Sequence, residues 1–151
     1  MKYSNWASRL DAFISKSMGI SFEWDMNCAL WACDCVEVQT GKDPAVWFRG
    51  KCKDKKSSFA SLRKFMKKGD LEKVILKLAK DCGYEEIHIN MAQRGDLVMI
   101  KDEHTDGLGL GIVSLDGKSV YFMDQTYEGL RRELIHKTHP DVSYSKAWRI
   151  E

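Results

Sequence analysis

Histidine and proline are scarce in this sequence of 151 residues, with four of the first and two of the second. The two prolines, Pro44 and Pro140, cannot make a stiff linker, and no repeat or low-complexity tract occurs. No stretch approaches the ~20 apolar residues of a membrane-spanning helix. A glycine-rich phosphate loop is also missing, because Thr40-Gly41-Lys42 lacks the upstream glycine and strand. Five cysteines is an odd number, and no C-x-x-C pair occurs, so the sequence predicts reduced thiols rather than a disulfide framework. The shortage of histidine constrains catalysis most. Any imidazole must come from His88, His104, His136 or His139.

What is present describes a folded protein. The chain is 44% hydrophobic and 30% charged, a globular composition, and its length suits a single domain over residues 1–151. A domain of this size buries roughly two thirds of the surface its unfolded chain exposes, so no metal or cofactor is needed to hold it. The N-terminus reads as an amphipathic helix without the apolar core of a signal peptide, and folding in the cytoplasm is the expectation.

The first half has a helical period. A helix is predicted over residues 5–16, with Ser4 or Asn5 as cap and Trp6, Leu10, Phe13 and Ile14 on one face. A second runs from about Asn27 to Thr40 and stops at Gly41. Asp43-Pro44 opens a short helix through Phe48. Ser57 or Ser58 opens a fourth to Lys68. Asp70 caps a fifth, with Leu71, Val74, Ile75 and Leu78 inward, ending near Cys82-Gly83. The second half reads as strands. Ile87 and Ile89 alternate with His88 and Asn90, and Leu97–Ile100 is apolar on both faces. Leu108–Val113 and Ser119–Met123 flank the turn signal Asp116-Gly117. Leu134-Ile135 and Ala147–Ile150 complete the set. Helices followed by an antiparallel sheet give an α+β class, with N-terminal helices packed on a small sheet.

The informative segment surrounds Cys28. At 100° per residue, Cys28, Trp31, Ala32, Cys35 and Gln39 share one face of the second helix, and Cys33 points away. Cys28 lies in the first turn, where free N–H groups and the helix dipole favour a thiolate. A buried space-filling cysteine is the alternative. A metal site fails on distance, because Cys28 and Cys35 stand about 10 Å apart along the axis.

Phe22-x-Trp24-x-x-Asn27-Cys28-Ala-Leu resembles the nucleophile segment of NlpC-type peptidoglycan endopeptidases. Arg94-Gly95-Asp96-Leu97-Val98 resembles their following "GDLV" turn and strand. Gly109-Leu110-Gly111-Ile112-Val113 resembles the next strand, which begins His-Val-Gly-Ile in active members. Thr40-Gly41-Lys42-Asp43 and the closing Ala147-Trp148-Arg149-Ile150 resemble features of small phage and prophage tail proteins, a branch of the same group. The resemblance spans nearly the whole chain and implies a papain-like fold. Gly109 stands at the expected histidine position, Asp25 replaces a glycine, and Asn27 replaces an aspartate. Without an imidazole, Cys28 lacks its general base and the acid for the leaving amine.

His104, five residues before Gly109, is the candidate substitute base. The third catalytic group would fall near Tyr121 to Asp124, where no residue matches strongly. The resemblance therefore implies a tail-tip structural component with a degenerate peptidase fold. It would act in tail assembly or envelope attachment, first in the host cytoplasm and then in the virion. The alternative is an active endopeptidase that opens the cell wall with Cys28.

The net charge of +2 hides an asymmetry. Residues 51–80 hold eleven Lys/Arg against three Asp/Glu, a balance of +8, which leaves −6 elsewhere. A solvated helical face explains this run, and docking on an acidic surface of another tail protein through Lys53, Lys55, Lys56, Lys64, Lys67 and Lys68 is the functional reading. Nucleic acid is not an expected partner, since few aromatics interleave with these lysines; peptidoglycan is a further candidate. A turn leading into a strand accounts for Arg94-Gly95-Asp96 without cell adhesion. Trp24, Trp31 and Trp148 are predicted core residues, and Trp6 and Trp47 core or interface anchors.

Overall fold

The computed structural model describes residues 1–23, 27–58, 60, 71–102, 108–124, 129–135 and 142–151. Among the described residues, the helices α1 (Trp6–Ser17), α2 (Cys28–Thr40) and α3 (Leu71–Asp81) precede six strands. These are β1 (Glu85–Ile87), β2 (Leu97–Asp102), β3 (Leu108–Val113), β4 (Ser119–Asp124), β5 (Gly129–Leu134) and β6 (Val142–Arg149). They form one antiparallel sheet in the order β1-β6-β2-β3-β4-β5. The class is α+β. Among the described residues no helix is long and apolar enough to cross a membrane.

Helix α2 is central because it is apolar nearly all round. The Asn27 side chain caps it by accepting the Leu30 N–H at 3.0 Å, and Gly41 ends it in the left-handed region at φ 75°. Trp31, Ala32 and Cys35 join Leu10 and Ile14 of α1 over the sheet residues Leu97, Met99, Leu110, Ile112 and Trp148. Cys33 faces the opposite way, into a smaller cluster with Leu30, Ala45, Phe48 and Cys52. The Trp31 indole N–H donates to Ser17 Oγ at 3.0 Å, and the ring stacks on Phe13. Burying this tryptophan therefore leaves no donor unsatisfied.

Strand alternation sends Val98, Ile100, Val113, Val120, Phe122 and Ala147 to the other face, where they are also buried. Gly111 fits there only without a side chain. A Cβ would come within 2.6 Å of Val120 Cγ1 and 2.8 Å of the Tyr121 carbonyl.

Several predicted boundaries change. Residues 44–50 form consecutive turns rather than a helix. Asp43 still accepts the Ala45 N–H at 2.8 Å, but it also pairs with Arg49, which bridges to Asp34 of α2 and pins the segment as turns. The next helical residues, 55–58, begin before Ser57, because Asp54 provides the cap by accepting the Ser57 N–H at 2.7 Å. Residue 60 is helical as well, and the remainder of that predicted helix, Trp24 and the Asp70 cap lie outside the described residues. The predicted strand through Asn90 stops at Ile87, since His88 Nδ1 accepts the Asn90 N–H and opens a short 3-10 turn at Ile89–Met91.

Candidate functional site at the head of the second helix

Cys28 is the first residue of α2 and packs against the main core cluster. It is half-buried as a residue, yet its sulfur is crowded by protein atoms. Burial pushes the thiol above the usual cysteine range. The backbone N–H groups of Leu110, Ala29 and Cys28 act the other way and do not offset it, while the Asp124 carboxylate adds to the upward push. The helix terminus thus supplies the expected donors, but the surroundings keep Cys28 a neutral thiol near pH 7.

The strand reached by the Leu110 amide carries Gly109 beside it. A Cβ built on Gly109 would lie 3.0 Å from Cys28 Sγ and 3.6 Å from Cys28 Cβ. The position where the resemblance expects histidine is therefore against the sulfur, and this sequence fills it with backbone.

Asp124, at the end of β4, closes the Tyr121 to Asp124 stretch in which a third catalytic group is expected and no residue matches strongly. It faces this region with its charge held by Arg131 at 2.9 Å, and Arg131 also pairs with Glu133 at 2.7 Å. The field of Asp124 opposes thiolate formation at Cys28. The one signal available was its place at the end of the strand after β3.

Of the histidines, only His88 is among the described residues. It follows β1, which β6 and β2 separate from β3, a span of about 14 Å at ~4.8 Å per strand. It does not reach Cys28. His104, His136 and His139 lie outside the described residues. Lys53, Lys55 and Lys56 are exposed, while Lys64, Lys67 and Lys68 lie outside the described residues. All five cysteines are free.

The Arg94-Gly95-Asp96 turn is built from within. Gly95 sits at φ 81°, donates its N–H to Val113 O, and Asp96 is 1% exposed. The Asp96 carboxylate accepts the N–H groups of Gln93 at 2.9 Å and Ile150 at 3.2 Å and pairs with Arg149. A buried aspartate committed to its own chain offers nothing to an adhesion receptor.

The family model described as "Domain of unknown function (DUF6950)" matches residues 1–150. A search of curated proteins returns no match.

Proposed function

The chain belongs to this domain family of unknown function, DUF6950, and we propose that it is a phage or prophage tail component, a papain-like, NlpC-related domain whose peptidase chemistry has been lost. One observation carries the loss of chemistry. Gly109 lies against the Cys28 sulfur, so the place from which an imidazole would activate the thiol holds only backbone. The raised thiol pKa fits a cysteine retained for packing. The tail assignment rests on the resemblance of the Phe22–Leu30, Thr40–Asp43 and Ala147–Ile150 segments. Its role is tail assembly or attachment to the host envelope, with assembly in the host cytoplasm and residence in the virion. The exposed Lys53, Lys55 and Lys56 are part of the surface offered to an acidic neighbouring subunit.

The decisive experiment incubates purified protein with peptidoglycan and follows released peptide ends, with phage infectivity measured in parallel for the Cys28→Ala variant. No release and near-normal infectivity are expected. Release that disappears in Cys28→Ala would establish the endopeptidase instead, and its further loss in His104→Ala would identify the base.

A further inference from the structure

A groove of about 610 Å³ opens on the side of the molecule built from the N-terminal residues, the turn before β2 and the end of β6. Lys2, Trp6, Arg94, Asp96, Arg149 and Glu151 line it. Three cations from three separate segments meet there. The Lys2 ammonium lies 4.2 Å from the Trp6 ring centroid, and the Arg94 guanidinium lies 5.7 Å from the same ring. The one buried carboxylate is already committed. Asp96 accepts the Gln93 and Ile150 N–H groups and pairs with Arg149, so its hydrogen-bonding capacity is spent within the chain, although its charge still acts on Lys2. Arg149 Nε is itself buried without a hydrogen-bond partner of good geometry. Burial pushes the Lys2 ammonium below its usual range, with Arg149 and Arg94 adding to the effect against the opposing pull of Asp96 and Glu151. Gly95 makes the crowding possible, since a Cβ there would stand 2.8 Å from Trp6 Cζ3 and 3.1 Å from Lys2 Nζ.

We propose that this groove binds a phosphate-class oxyanion, with Lys2 and Arg94 as its direct contacts, Arg149 supplying field behind them, and the Trp6 indole as the wall that holds both cations in place. The chemistry follows from the donors. A guanidinium and an ammonium fixed on one ring present several N–H groups to a tetrahedral or planar oxyanion, and charge-assisted bonds of this kind are the strong ones. Three cations meet two carboxylates, Asp96 and Glu151, in the groove, and an anion placed between Lys2 and Arg94 adds the third counter-charge. The site is independent of Cys28.

The test titrates the full chain with inorganic phosphate while chloride keeps ionic strength constant, and follows the Trp6 indole and Gly95 amide resonances. Saturable shifts confined to this groove are expected, together with a rise in the Lys2 ammonium pKa. Arg94→Ala should weaken binding about tenfold, the loss of one charged hydrogen-bonding group. Arg94 is exposed, so the variant keeps its fold, which the dispersion of the remaining resonances checks. Phosphate monoesters binding more tightly than inorganic phosphate would identify an organic ligand; the reverse order would identify free phosphate, and either supports the site. Shifts equal to those in chloride, shifts spread equally over Lys53, Lys55 and Lys56, or binding unchanged in Arg94→Ala would each overturn it.

Discussion

Gly95 and Gly109 each border a cluster of chemically active side chains, and they do so for different reasons. Gly95 is required by its own backbone. Its φ of 81° disfavours any other residue, and a Cβ would in addition meet Gln39 Oε1 at 2.3 Å. Gly109 has no such backbone demand, and among the described residues a Cβ there would meet the Cys28 side chain alone. One glycine makes a turn that gathers three cations around a groove. The other lets a strand close over a thiol. The first cluster is therefore fixed by the fold, and the second is held by a single pair of side-chain positions.

The comparison breaks most visibly at the turn. Replacing Asp96 with Ala strands the Ile150 N–H in the core and leaves Arg149 facing uncompensated charge. Loss of about 3 kcal/mol is expected, read as a lowered urea midpoint with unchanged slope. Gly95→Ala should cost about 2 kcal/mol, combining left-handed strain with displacement of the buried Gln39 amide. If Gly95→Ala proves neutral in the same assay, the turn is not the rigid element described.

At the thiol the effects should be smaller and coupled. Gly109→Ala asks Cys28 to yield by a few tenths of an ångström, while the alanine restricts the unfolded chain in its favour. A net change within about 1 kcal/mol is expected. In the double variant with Cys28→Ala the clash disappears, so the two costs should sum to more than the measured total by at least ~0.5 kcal/mol. Strict additivity would show that the two positions do not press on each other.

The same contrast explains what the sequence disclosed. The α2 helix was legible because Asn27 and Gly41 are a cap and a stop, and a 100° step correctly separated Cys33 from Trp31, Ala32 and Cys35. Strands β2, β3 and β4 were legible from apolar runs and from Asp116-Gly117. Strand β5 was largely missed because Gly129–Leu134 carries two arginines and a glutamate instead of an apolar alternation. The two arginines pair with Asp124 and Asp116, which lie on or beside β4, and Glu133 pairs with Arg131. The groove was invisible for a related reason. Lys2, Arg94 and Arg149 are far apart in sequence, and the β2–β6 pairing together with the Asp96 contacts to Arg149 and Ile150 joins the last two, a long-range outcome that no local pattern encodes.

The smallest stability effect expected is that of Asn27→Asp, and set beside Asn27→Ala it separates capping from chemistry. Asparagine and aspartate are nearly equivalent helix caps, so Asn27→Asp should leave the urea midpoint unchanged, whereas Asn27→Ala should cost about 1 kcal/mol by freeing the Leu30 N–H. The substitutions differ in charge at the residue before Cys28. A carboxylate there adds to the field of Asp124 and pushes the thiol further up. Only the thiolate reacts with iodoacetamide, so Cys28 alkylation should be slow at pH 7 and rise steeply with pH. A raised pKa moves that rise to higher pH, and Asn27→Asp should move it higher still. Exposed Cys82 serves as the internal reference, read site by site by mass spectrometry. Fast labelling of Cys28 at pH 7 in the unaltered chain would mean that something lowers its pKa despite Gly109, and the case for a silent thiol would fall.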